Sequence, residues 1–77
     1  MHMTKVKFTG KVGAKRMNFM KEGTKELHSA WYSMVETTDG QMVTIIDRSA
    51  PYELMEAETR YKAVKKAKEF LERVGLE

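Results

Sequence analysis

An Asp39-Gly40 pair between two apolar runs is the feature that most constrains this sequence. The run before it, residues 27–35, and the run after it, residues 42–46, are rich in β-branched and aromatic side chains. Asp-Gly between such runs is the strongest short-range signal for a β-hairpin, because glycine accepts the positive φ of tight turns. A two-residue turn would place Val35 opposite Thr44. A four-residue loop shifts the pairs but leaves the same residues on each face.

Alternation along the two strands divides the hairpin into two faces, and both are partly apolar. One face holds Ala30, Tyr32, Met34, Val43 and Ile45. The other holds Leu27, Trp31, Val35, Met42 and Ile46, diluted by Ser29, Ser33 and Thr44. The sequence does not decide which face meets a second layer.

Two further strands are predicted before the hairpin. Residues 4–12 alternate, with Val6, Phe8 and Val12 on one side and lysines on the other, which indicates a half-buried strand with a guarded edge. Gly13-Ala14 is the expected turn, and residues 16–21 form the return strand. The sequence Glu22-Gly23-Thr24 then interrupts it.

The period changes in the last third of the chain, where an amphipathic helix is predicted. Its apolar stripe consists of Leu54, Ala57, Tyr61, Val64, Ala67, Leu71 and Val74. The helix begins either after Ser49, with Pro51 in its first turn, or after Thr59. We favour Ser49, because residues 53–57 are strong helix formers.

These elements predict one α+β domain over residues 1–77. It is a four-stranded antiparallel meander with one C-terminal helix packed on one face (ββββα). The chain has no cysteine, which excludes disulfides and fits a reducing cytoplasm, and no apolar run long enough to cross a bilayer. We expect a cytoplasmic protein without membrane contact.

Catalytic and metal-binding patterns are not found in the sequence. With two histidines and no cysteine, a zinc site lacks ligands, and His28 is interpreted as a structural residue. No glycine-rich phosphate loop or nucleophile elbow occurs, so we predict no cofactor and no enzymatic activity.

The apolar area of the sheet is larger than one helix can cover, which predicts a binding partner. A single helix covers one sheet face, and we expect that face to contain Ala30, Tyr32, Met34, Val43 and Ile45. The residues left outside are then Trp31, Val35, Met42 and Ile46. An exposed apolar patch of this kind marks an interface. The sequence therefore predicts an accessory or regulatory protein that acts through protein–protein interaction, most simply as a homodimer.

Nucleic-acid binding is the alternative function. Residues 1–30 contain seven Lys or Arg against two Glu, whereas residues 31–60 contain two Arg against six acids. In this alternative, Trp31 or Tyr32 stacks on bases. Phosphates are neutralised by Lys5, Lys7, Lys11, Lys15 and Arg16.

Two resemblances bear on this alternative. Trp31-Tyr32, Asp39-Gly40 and a C-terminal helix resemble the three-stranded arm-binding domains of phage integrases, a family whose sheet enters the DNA major groove. The hairpin strands of that family are basic, whereas residues 42–46 here are apolar. Val6-Lys7-Phe8, Trp31 and residues 49–54 are similar to the small basic chromatin proteins of hot-living archaea, which carry more lysine around the Trp surface.

Overall fold

The computed structural model of the protein describes residues 7–21 and 23–74. Four strands and one helix follow one another along these described residues: β1 (Phe8–Met20), β2 (Leu27–Thr37), β3 (Met42–Thr44), β4 (Glu56–Ala57) and α1 (Arg60–Val74). The antiparallel sheet has the order β1-β2-β3, and β4 pairs with β2 beside β3. The predicted α+β fold with four antiparallel strands and a C-terminal helix is confirmed.

β1 is one long strand, so the turn predicted at Gly13-Ala14 is wrong. Gly13 pairs with Met34 and Ala14 pairs with Ser33 in the middle of the ladder. The irregularity of β1 lies earlier, at Gly10, where φ is 100° and the register shifts between residues 8 and 12. A bulge of this kind needs a residue that tolerates positive φ, which is why a glycine occupies the position. The predicted return strand is the second half of β1.

The Asp39-Gly40 hairpin forms with a three-residue loop. Thr37 N–H donates to the Gln41 carbonyl at 2.9 Å, and Gly40 N–H donates to the Thr37 carbonyl at 2.9 Å. Gly40 has a φ of 86°, as expected for a type I turn that ends in a left-handed residue. The loop places Val35 opposite Val43, one residue away from the register of a two-residue turn.

After β3 the chain continues past its pairing with β2 and then folds back antiparallel to itself. Met55 N–H donates to the Ile45 carbonyl at 2.8 Å, and Asp47 N–H donates to the Glu53 carbonyl at 2.9 Å. This second hairpin brings the Met55 carbonyl to the Ser33 N–H at 3.0 Å, so β4 takes over the edge of β2 where β3 leaves it.

The helix begins at Arg60, and the start favoured from the sequence, after Ser49, is wrong. Thr59 caps the helix, since its hydroxyl accepts from Lys62 N–H at 3.2 Å and its carbonyl accepts from Ala63 N–H at 3.0 Å. Ser49 instead donates its N–H and hydroxyl to Asp47 Oδ1, which lowers the pKa of Asp47 below its usual range. Strand pairing of residues 54–57 overrides their helix propensity.

The helix covers the face of β2 that carries Ser33 and Val35. Val35, Ile45, Met55, Ala67 and Leu71 form the buried core. The expectation that the helix covers the face of Tyr32 is therefore wrong. Small side chains are the physical reason, because Ala14 and Ser33 lie opposite each other on this face and allow the helix to approach closely.

The other face of the sheet is partly covered by the chain between β3 and β4. Tyr32 is completely buried there, with its ring 5.5 Å from Phe19 in an edge-on arrangement. Phe19 in turn stacks on Tyr52 at 4.9 Å. Ala30, Tyr32 and Ile45 are all buried, as expected. Ala30 and Tyr32 lie on this face, however, whereas Ile45 lies on the helix face, and Met34 and Val43 are half-buried.

Candidate interaction surface

The residues predicted to form one apolar interface do not form one exposed surface. Val35 is only 1% exposed in the core beneath the helix, so its assignment to an open interface is corrected. Trp31 is half-buried opposite Arg16. Met42 is 37% exposed, with its Cε over Gly13, and Ile46 is 73% exposed. Sequence alternation missed this distribution because the hairpin register and the bend after β3 decide it.

Ile46 borders an apolar groove beside β3, which we call the β3 groove. The groove has a volume of about 290 Å³. Its lining consists of Phe8, Val35, Val43, Thr44, Ile45, Ile46 and Phe70. Phe8 and Phe70 meet edge to face at 5.8 Å, which joins the start of β1 to the helix. Val74, 51% exposed, lines a neighbouring depression together with Ile46.

The strand that borders this groove has an open outer edge, which we call the β3 edge (residues 42–46). In an antiparallel ladder, residues alternate between hydrogen-bonded and non-hydrogen-bonded pairs. The bond from Thr37 N–H to the Gln41 carbonyl fixes this alternation, so Val43 directs its N–H and C=O toward β2. Met42 and Thr44 therefore direct theirs outward.

Ile46 continues the same alternation. The residues on either side of it, Ile45 and Asp47, bond inward to Met55 and Glu53, so the N–H and C=O of Ile46 point away from β4. In the part of the chain that the structure describes, no strand pairs with this edge. Three residues thus present six main-chain hydrogen-bonding groups to a further strand.

The two edges of the sheet differ in their protection. The outer edge of β1 carries Lys11, Lys15 and Arg16, all exposed, and it is interrupted at Gly10. Charges and bulges of this kind prevent edge-to-edge pairing. The β3 edge has neither charge nor proline between residues 41 and 46. The sequence could have revealed this contrast once the two edge strands were known.

A second group of polar side chains lies on the sheet face that carries Tyr32. Nε2 of His28 lies 2.9 Å and 3.0 Å from the two carboxylate oxygens of Glu56, and the Tyr32 hydroxyl donates to Glu56 at 3.4 Å. Burial and the Glu56 carboxylate raise the pKa of Tyr32 to about 12. Tyr52 covers the His28 ring at a centroid distance of 5.4 Å. The cluster attaches β4 to β2, and the Tyr32 hydroxyl within it is shielded from solvent.

The residues expected to bind nucleic acid are only partly available. Lys7, Lys11, Lys15 and Arg16 are exposed, and Lys5 lies outside the described residues. Tyr32 is completely buried and cannot stack on a base, so that assignment is corrected. Its burial comes from Phe19 and the β3–β4 connection, which sequence alternation does not show.

Within residues 7–21 and 23–74, no three His, Cys, Asp or Glu side chains are grouped so that they could hold a metal ion. No helix in the same residues is long and apolar enough to cross a membrane. Comparison of the chain with protein-family models, curated proteins and solved structures gives no match.

Proposed function

We propose that this protein is a non-enzymatic accessory or regulatory protein that acts through protein–protein interaction as a homodimer. The observation that carries the proposal is the unprotected β3 edge beside the apolar β3 groove. An exposed, uncharged strand edge pairs readily with another chain, and proteins that stay monomeric block such edges. The β1 edge of the same sheet is blocked, which makes the β3 edge the surface suited to pairing.

Apolar burial supports the same surface. Ile46 is 73% exposed and Val74 is 51% exposed, and both lie at the rim of the helix and the β3 edge. Burying one such aliphatic side chain contributes about 1.5–3 kcal/mol, and a symmetric interface buries each residue twice. A domain of 77 residues has a small core and gains most from such added area.

Sedimentation velocity over micromolar to millimolar concentration tests the proposal with two matched variants. Ile46→Lys places a charge on the β3 edge, and Leu27→Lys makes the same kind of change at another exposed aliphatic residue, at the far end of the β1–β2 hairpin. We expect a dimer for the wild type and for Leu27→Lys. We expect a folded monomer for Ile46→Lys, with folding checked by near-ultraviolet circular dichroism.

Two outcomes contradict the proposal. One is a wild-type protein that stays monomeric at the highest concentration. The other is a dimer that survives Ile46→Lys and dissociates in Leu27→Lys, because the contact would then lie at the hairpin end.

Nucleic-acid binding is the second candidate function, and the composition of β1 favours it. The strand carries Lys11, Lys15 and Arg16 and no acidic residue. Such charges neutralise phosphates and release counterions, so affinity for mixed-sequence DNA or RNA would fall steeply with salt. Fluorescence anisotropy titrations at two salt concentrations test this, with Lys15→Gln as the variant. No binding at low salt would end this candidate.

A further inference from the structure

We infer that the strand that completes the β3 edge is the β3 edge of a second copy, paired antiparallel across a two-fold axis at Thr44. The inference rests on the proposed homodimer and specifies its contact. In this register Met42 lies opposite the partner's Ile46, and Val43 lies opposite the partner's Ile45. Each copy thus supplies the strand that the other lacks.

The directions of the main-chain groups select this register. Met42, Thr44 and Ile46 direct their N–H and C=O outward, as the bonds of Thr37, Asp47 and Met55 establish. A symmetric antiparallel pairing must place outward residues opposite outward residues. An axis at Thr44 pairs all three with three of the partner. Moving the axis by one residue to either side leaves only two such pairs, so the Thr44 axis satisfies the most hydrogen-bonding groups.

Charge complementarity at both ends agrees with the same register. At each end of this pairing, the turn that begins at Arg48 follows the paired strand and comes near the partner's turn at Asp39 and Gly40. Arg48 and Asp39 are both exposed, and two-fold symmetry repeats this pair at the other end. Opposite charges at the rim of an interface set register and partner choice more than affinity.

The apolar surfaces also come together in this arrangement. Antiparallel pairing in the plane of a sheet has its two-fold axis perpendicular to that plane, so the helices of both copies lie on the same side. The β3 groove is on the helix side, since Phe70 lines it. The two grooves therefore meet across the axis, and Met42 packs against the partner's Ile46 on the other face of the sheet. The product is a continuous sheet that extends from β1 of one copy to β1 of the other.

Cysteine cross-linking tests the register directly, because the chain has no cysteine of its own. Hydrogen-bonded residues of an antiparallel pair lie about 5.5 Å apart at Cα, a separation that a disulfide spans. We expect Thr44→Cys to form a disulfide-linked dimer under mild oxidation. Thr38→Cys is the matched control, an exposed threonine six residues from the axis. We expect it to remain largely unlinked.

A mixture of Met42→Cys with Ile46→Cys adds a second readout. These positions face each other only between copies, so we expect the mixed disulfide to exceed the self-linked product of either variant alone. Sedimentation of the wild type distinguishes a wrong register from the absence of a dimer. A wild-type dimer in which Thr38→Cys links as well as Thr44→Cys overturns the register and leaves the homodimer. A wild-type monomer overturns both.

Discussion

The hydroxyl of Ser33 donates a 2.6 Å hydrogen bond to the main-chain carbonyl of Ala63. Both residues are completely buried, one in the middle of β2 and the other in the first turn of α1. The bond requires a small side chain on the sheet and another on the helix, because a larger one would separate the two backbones. It explains which face of the sheet the helix covers.

Ser33→Val therefore destabilises the protein more than Ser33→Ala does. Alanine loses a hydrogen bond, which costs about 0.5–1.5 kcal/mol. Valine loses the same bond and also overfills the contact, which costs about 1–3 kcal/mol in packed cores. Chemical denaturation of both variants gives the two free energies of unfolding. Equal values would mean that the helix does not approach β2 closely at Ser33.

Leu71→Ala is expected to lower the free energy of unfolding by about 2–5 kcal/mol. Leu71 is 4% exposed and packs in the core with Val35 and Ile45. Tyr61→Ala is the control on the same helix, since Tyr61 is 77% exposed and its truncation should change stability by less than about 0.5 kcal/mol. Urea denaturation of the two variants checks the difference. A loss well under 1 kcal/mol for Leu71→Ala would contradict the core assignment.

The sequence was informative wherever local chemistry determines structure. Asp39-Gly40 forms the expected hairpin, and Ala67 and Leu71 of the predicted stripe are buried under the sheet. The same stripe fails at its ends, because Tyr61 is 77% exposed and residues 54–57 leave the helix for strand pairing. Tertiary hydrogen bonds hold residues 54–57 in strand pairing despite their helix propensity, and the periodicity of the sequence does not show such bonds.

The alternation of residues along the hairpin strands does not show which face of the hairpin the helix covers. Both faces of β2 are apolar, and the structure covers each with a different part of the chain: the helix over Val35, the β3–β4 connection over Tyr32. The small size of Ser33 was the available signal for the helix side. The β3 edge could not be identified from sequence, because its openness follows from where β4 joins β2.

The double variant Asp39→Ala, Gly40→Val is expected to weaken the hairpin by about 1–2 kcal/mol. Gly40 has a φ of 86°, and a Cβ there would meet no atom within 4 Å, so the cost of replacing Gly40 comes from its backbone conformation. Asp39 also accepts a hydrogen bond from the Thr37 hydroxyl. Thermal unfolding measures the loss, and Asp39→Ala alone separates the side-chain part. Unchanged thermal stability of the double variant would contradict the turn.

Glu53→Gly is expected to stabilise the protein by about 0.5–1 kcal/mol. Glu53 is the one non-glycine residue with positive φ among the described residues, at 58°. Its main chain closes the second hairpin, donating to the Ala50 carbonyl and accepting from Asp47 N–H. Glycine relieves the left-handed strain, and the larger entropy of the unfolded chain offsets part of the gain. Glu58→Gly, at another exposed glutamate, is the control and should not stabilise; a stability loss in Glu53→Gly would show that the carboxylate itself matters.

Because the pKa of Tyr32 is raised, part of the free energy of unfolding is lost at alkaline pH. The folded pKa is about 12 against 10.0 for the ordinary group, because burial and Glu56 disfavour the phenolate. A folded pKa above the unfolded value means that the contribution is complete below pH 10 and is lost as the pH rises toward 12. The limiting slope for one group is about 1.4 kcal/mol per pH unit. We expect the free energy of unfolding of the wild type to fall across this range more steeply than that of Tyr32→Phe, measured by urea denaturation at a series of pH values. Parallel pH profiles for the two proteins would show that the Tyr32 hydroxyl is not buried against Glu56.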